Sequence, residues 1–171
     1  PPALDTSIVV MGVTGCGKTT IGQAIADWLE WPFYDGDDFH PPSNVAKMRK
    51  GEPLTDDDRA GWLDTLAQLL RRNEASGQHV VIACSALKSA YRDRLRGAGD
   101  AVLDLTFLHL DITPEVALAR LTERKGHFMP SSLIASQFET LEPPKHAIVI
   151  DANRPIAAVV RSVQKACSSR P

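Results

Sequence analysis

Residues Gly12-Val13-Thr14-Gly15-Cys16-Gly17-Lys18-Thr19 constrain this chain more tightly than any other stretch. They match the spacing G-x-x-x-x-G-K-[ST], and they stand between the apolar run 7–11 and a helical pattern over 21–29. Strand, glycine loop and helix in that order let the backbone curl so that successive N–H groups point inward, with the positive end of the helix dipole behind them. A polyphosphate suits such a cradle. Gly12, Val13, Thr14, Gly15, Cys16, Gly17, Lys18, Thr19 and the adjoining Thr20 are the expected nucleotide contacts. Lys18 brings a point charge to the β and γ phosphates, and the Thr19 hydroxyl offers one ligand to a bridging Mg²⁺ ion. Cys16 reads first as a small filler of the loop.

A cradle of this kind needs a sheet to carry it. Short β-branched or apolar runs at 33–35, 79–84, 105–110 and 147–151 alternate with segments of helical period, and several lack polar alternation, as strands covered on both faces do. The expected fold class is α/β with a parallel sheet. Trp62, Leu63, Leu66, Leu69 and Leu70 recur at helical spacing, with Thr55 and Asp58 placed as a capping box before them. Thr113-Pro114 and Pro155 mark two further helix starts. The 171 residues suit a single domain, with an acceptor-covering insertion expected at about 36–60 and a lid at about 124–138. A net charge of −2 gives no general excess of positive charge for nucleic acid. No apolar run is long enough to span a bilayer, and the three scattered cysteines fit a reducing compartment, so a cytoplasmic location is expected.

The cradle needs an acidic partner for its metal, and two places offer one. Asp35, at the end of the run 33–35, would share the ligand edge of the sheet with Lys18 and Thr19; Asp151 closes the run 147–151 but leads into a turn it can cap. Asp35 is the preferred metal ligand. Asp37, two residues on, is placed to orient an acceptor hydroxyl and take its proton late. Asp56, Asp57 and Asp58 read as helix-capping acids. Lys88 and Arg92, spaced i and i+4, are expected to face the crevice, with His40, Lys47 and Arg59 contributed by the insertion. So many cations around one acid point to an acceptor carrying a carboxylate or phosphate. Arg120 and Arg124 precede Lys125-Gly126-His127-Phe128, a segment suited to closing over phosphates and bringing a guanidinium to the moving phosphoryl group; Arg120 could instead stack on adenine.

The pattern Asp35-Gly36-Asp37, His40-Pro41, Gly51-Glu52-Pro53-Leu54, Cys84-Ser85-Ala86-Leu87-Lys88, Tyr91-Arg92, Gly126-His127-Phe128 and Gln137-Phe138-Glu139-Thr140-Leu141, together with the glycine loop, resembles the gluconokinases over nearly the whole chain. The resemblance implies a P-loop NTPase fold like that of the shikimate and nucleoside monophosphate kinases, a five-stranded parallel sheet flanked by helices with a small lid. It implies transfer from ATP to the 6-hydroxyl of D-gluconate, giving ADP and the 6-phosphogluconate that enters the pentose phosphate pathway. It also implies a homodimer. On the same basis Asp37 orients the hydroxyl, Lys88 and Arg92 serve the acceptor side, Arg120 lies near adenine and Arg124 belongs to the lid. A looser likeness to shikimate kinase makes Arg59 a carboxylate holder. Other carboxylated acceptors and a slowly hydrolysing nucleotide switch remain as alternatives.

Overall fold

The run after Ser7 becomes the middle strand of a sheet because neither of its faces meets water. In the computed structural model, which describes residues 4–97, 102–123 and 131–169, strand β1 (Ile8–Met11) is buried at every position. It pairs in parallel with β3 (Val81–Ala83) on one side and β4 (Thr106–Asp111) on the other, so that Val9 stands opposite both Ile82 and Phe107. Outside these lie β2 (Phe33–Asp35) and β5 (Ile148–Asp151), giving the all-parallel order β2-β3-β1-β4-β5. The expected strands are all present, some of them shorter. Val80, for instance, donates its N–H to the Ser7 hydroxyl at 3.0 Å just before β3 begins.

Successive side chains of β1 leave the sheet on opposite faces. Ile8 and Val10 join one core with helices α1 (Lys18–Leu29) and α7 (Ile156–Ser168), while Val9 and Met11 join a second core with α3 (Asp56–Ala75) and α4 (Ser89–Arg96). Thr55 and Asp58 make the anticipated reciprocal capping box, which fixes where α3 starts and therefore turns Trp62, Leu63, Leu66 and Leu70 toward the sheet. Fully burying an aliphatic side chain of that size contributes about 1.5–3 kcal/mol.

The covering segment after β2 is a 3-10 turn (Gly36–Phe39) followed by α2 (Pro42–Arg49). Residues 56–60, expected to belong to it, are the first turns of α3. Helix α5 (Pro114–Glu123) opens after Thr113, whose hydroxyl accepts from Val116 N–H at 3.3 Å. Helix α6 (Ser131–Thr140) takes up residues 131–138 of the expected lid. Arg124 and the Lys-Gly-His-Phe segment lie outside the described residues. Among the described residues no helix is long and apolar enough to cross a membrane.

Candidate active site

All five strands point the same way, so the loops leaving their carboxyl ends gather at one edge. The glycine loop leaves β1 there with Gly12, Gly15 and Gly17 at φ 147°, 85° and 97°, in the region that an L side chain enters only with strain. A Cβ at Gly12 would stand 2.8 Å from both Cys16 Sγ and Leu110 O, so the loop is drawn tight around a fully buried Cys16. Lys18 Nζ donates to Gly12 O at 3.0 Å and to Val13 O at 3.1 Å, which holds its charge across the mouth of the loop.

One carboxylate joins this loop to the acidic turn. Asp35 Oδ2 accepts from the Thr19 hydroxyl at 3.0 Å, and Oδ1 accepts from Asp37 N–H at 3.0 Å. The second bond caps the 3-10 turn and sends Asp37 forward, its side chain 73% exposed. The hydroxyl and carboxylate oxygens suit Mg²⁺, a hard ion that keeps several waters and needs only one or two protein ligands beside phosphate oxygens. Among the described residues no cluster of three or more His, Cys, Asp or Glu side chains competes as a metal site. Asp151, the alternative, accepts from both the backbone and the side chain of Asn153 at 2.9 and 2.8 Å, and so organises the turn after β5.

Asp37 is faced by a histidine whose tautomer is set by a neighbouring amide. His40 stacks on Trp62 with ring centroids 4.1 Å apart, and its Nε2 lies 3.7 Å from Asp37 Oδ1. Asn44, itself buried, donates from Nδ2 to His40 Nδ1 at 3.2 Å and to Asp58 O at 2.8 Å. An amide nitrogen only donates, so Nδ1 accepts and the proton sits on Nε2, facing Asp37. Burial lowers the His40 pKa, against the pull of Asp37 and with the help of Arg59, and so favours the neutral ring. Trp62 is anchored in turn by a 2.7 Å bond from Nε1 to Gly36 O.

Arg59 is aimed by its neighbours. Its NH1 donates to Leu54 O at 2.7 Å and to the Tyr91 hydroxyl at 3.0 Å, and its guanidinium carbon lies 5.3 Å from the centre of the Tyr91 ring. The same hydroxyl donates to Asp56 Oδ1 at 2.5 Å, and Lys88 reaches that oxygen at 3.0 Å. Those two bonds, Tyr91 first, hold the Asp56 carboxyl below its usual range.

Thr14, Lys18, Asp37, His40, Arg59, Trp62, Ser85 and Gln137 thus line one open cleft between the glycine loop and the acceptor side. Three cations expected at this cleft are elsewhere. Lys47 is bonded to Asp58 Oδ2 at 2.7 Å, and Lys88 is turned to Asp56. Arg92 is buried and donates to Ala86 O at 2.7 Å and Glu142 O at 2.9 Å, because α4 turns its face toward the segment after α6. Arg92 acts on the cleft at one remove: Ala86 has φ 46°, a strained value for a residue with a Cβ, and the guanidinium on its carbonyl holds that bend directly after Ser85. Ser85 O in turn accepts from Gly12 N–H at 3.2 Å.

Arg120 is a staple of the nucleotide side. Its NH2 donates to Ala152 O at 2.5 Å and Arg154 O at 2.9 Å, while NH1 lies 3.4 Å from the Gly15 and Cys16 carbonyls. With Gly15, Gly17, Thr20, Pro155 and Ile156 it lines a second hollow on the outer side of the loop. Three contributors carry no charge that would have marked them in the sequence: Asn44, Tyr91 and Gln137. For Tyr91 and Gln137 the only signal was membership of the Tyr-Arg and Gln-Phe-Glu-Thr-Leu motifs.

A phosphate cradle, a hydroxyl–carboxylate pair beside it and an acid projecting into an adjoining cleft define a P-loop phosphotransferase for a small acceptor. The shikimate kinase family model matches residues 14–166. A gluconokinase of Gluconobacter oxydans (strain 621H) is 49% identical over 137 residues, covering 80% of this chain and 75% of the relative. The thermosensitive gluconokinase of Escherichia coli (strain K12) is 44% identical over 168 residues, covering 94% and 86%. The crystal structure of a gluconokinase from Sinorhizobium meliloti 1021 superposes with a TM-score of 0.85 at 44% identity, covering 95% of this chain and 91% of that one. The chain belongs to the gluconokinase family, within the shikimate kinase-like P-loop kinases.

Proposed function

We propose that this enzyme transfers the γ-phosphoryl group of ATP to the 6-hydroxyl of D-gluconate. The observation that carries the proposal is the single cleft in which Thr14 and Lys18 of the cradle face Asp37, His40 and Arg59 of the acceptor side. Lys18 and the loop amides would hold the β and γ phosphates, with Arg120 and Thr20 beside the rest of the nucleotide. Thr19 and Asp35 would hold Mg²⁺. When bound, that ion supplies positive charge against the phosphate oxygens.

The Asp35 cap fixes the backbone of Asp37 and leaves its carboxylate exposed beside His40, so it can accept the acceptor's hydroxyl proton while pointing the oxygen at the cradle. The neutral Nε2–H of His40 offers the same carboxylate a donor without cancelling its charge. Arg59, held by Tyr91 and Leu54, provides a fork for the distant carboxylate of a sugar acid. Arg124 remains a proposed lid cation. Lys88 and Arg92 remain acceptor-side residues through Asp56, Tyr91 and Ala86 rather than by direct contact. A homodimer and a cytoplasmic location belong to the same proposal, the first supported by the family resemblance and the second by the odd number and scattered spacing of the three cysteines; light scattering and cell fractionation test them.

The decisive assay is ADP formation with a panel of sugar acids. D-gluconate should be the best acceptor, and Asp37→Asn should lower kcat by at least tenfold while leaving ATP affinity within a factor of two. A panel in which a cyclic carboxylate outruns D-gluconate, or an Asp37→Asn variant with native kcat, would defeat the assignment.

A further inference from the structure

Helix α6 places a neutral amide against the phosphate cradle. Gln137 Oε1 accepts from the backbone N–H of Thr14 at 2.6 Å, a contact between residues 123 positions apart in the chain. Thr14 lies in the glycine loop expected to bind the phosphates, and it lines the cleft together with Lys18, Asp37 and Gln137. A phosphate oxygen arriving at this amide and the Gln137 carbonyl compete for one proton. The phosphate forms the stronger, charge-assisted bond.

The helix carrying Gln137 is tied to the acceptor side at its far end. Glu142 N–H donates to Leu87 O at 2.8 Å, Ser89 N–H donates to Glu142 Oε1 at 2.8 Å, and Arg92 holds Glu142 O. Gln137 therefore sits between the nucleotide loop and the Ser85–Leu87 bend with a carboxamide that both accepts and donates. Once its oxygen gives up the Thr14 amide, its NH₂ can turn to a hydroxyl or carboxylate oxygen in the cleft.

Resting on the kinase reading above, we propose that Gln137 is a positioning residue that couples the two substrate sites: it yields the Thr14 amide to a nucleotide phosphate and presents its own NH₂ to the polyhydroxy acid. Nucleotide binding then favours acceptor binding, and the reverse holds by linkage.

Two substitutions at one position separate coupling from packing. Gln137→Met keeps length and helix propensity but removes both polar atoms; Gln137→Glu keeps the acceptor and adds a charge that repels phosphate. Dissociation constants are measured with a non-hydrolysable ATP analogue, with D-gluconate, and with each in the presence of the other, using intrinsic tryptophan fluorescence or calorimetry. Gln137→Met should bind the analogue about 2- to 10-fold more tightly than wild type, the range of one neutral hydrogen bond, and Gln137→Glu should bind it more weakly by a similar factor. The analogue should tighten D-gluconate binding in wild type but not in Gln137→Met.

Opposite shifts of nucleotide affinity at one site are not produced by a damaged fold, and thermal melts within a few degrees of wild type confirm its integrity. Equal or same-direction shifts in the two variants, or coupling that survives in Gln137→Met, overturn the proposal. If wild type binds the analogue with the expected ordering but forms no ADP with D-gluconate, the acceptor assignment fails while the competition for Thr14 stands.

Discussion

Gly36 lies between the two acids of the site, and its missing side chain is what lets them sit where they do. A Cβ built there would stand 2.4 Å from Ala83 O on the neighbouring strand, whereas real contacts of this kind stay beyond 3.0 Å, so the turn must withdraw by about 0.6 Å. The atom it would meet is backbone of a buried strand and cannot swing aside. Withdrawal would move Asp35 and Asp37 together and disturb Gly36 O, the acceptor of the Trp62 indole on which His40 stacks. Overpacking of this sort costs about 1–3 kcal/mol, or a Tm lowered by roughly 2–12 °C for a chain of this size. Misplacing a reacting group by about 1 Å costs on the order of 100-fold in rate, so Gly36→Ala should lose about 10- to 100-fold in kcat. Steady-state ADP release and a thermal melt on the same preparation measure both. Gly61, inside α3 with nothing within 4 Å of its would-be Cβ, is the matched control. Gly61→Ala should gain about 0.5–1 kcal/mol from helix propensity with kcat unchanged. A Gly36→Ala enzyme with lowered Tm but native kcat would refute the reasoning, because the acids would then tolerate the displacement.

Three further outcomes follow from the site's wiring. Tyr91→Phe retains the ring under Arg59 but deletes the hydroxyl, and should raise KM for the sugar acid roughly tenfold, the scale of one charge-assisted hydrogen bond, with KM for ATP unchanged. The Asp58 carboxyl is held down to about 2 by Lys47 and the Thr55 cap, against an ordinary 3.8. Its unfolded pKa being the higher, it supports the fold fully above pH 3.8 and loses that support as pH falls toward 2; Lys47→Met should therefore move the acid-unfolding midpoint upward. Burial pushes the Cys84 thiol up to about 12, so in native protein at pH 8 it should resist alkylation that proceeds readily after unfolding, as read by mass spectrometry.

The parts of this molecule governed by local chemistry were readable in the chain itself. The glycine loop, the Thr55–Asp58 capping box and the apolar runs each depend on neighbours within a few positions, and each takes its expected form. The cations did not follow, for a geometric reason. Lys88 and Arg92 share a helix face only if both are helical, yet Lys88 is the extended residue preceding α4, with ψ 148°. Asp56 looked like one more acid at a helix start. Its partners, Tyr91 and Lys88, come from more than thirty residues away, and no spacing rule announces them. Gln137 was harder still, since a neutral amide leaves no mark in charge or period.

The bend at Ala86 separates two properties that are usually tied together in an anion pocket. Its curvature is set from behind, by a guanidinium buried against protein carbonyls, while the field inside comes from Lys18 and Arg59. Contour and potential are thus tuned by different side chains. Shortening residue 92 would reshape the floor without taking a cation from the lining, whereas neutralising residue 59 would drain the potential and leave the contour standing.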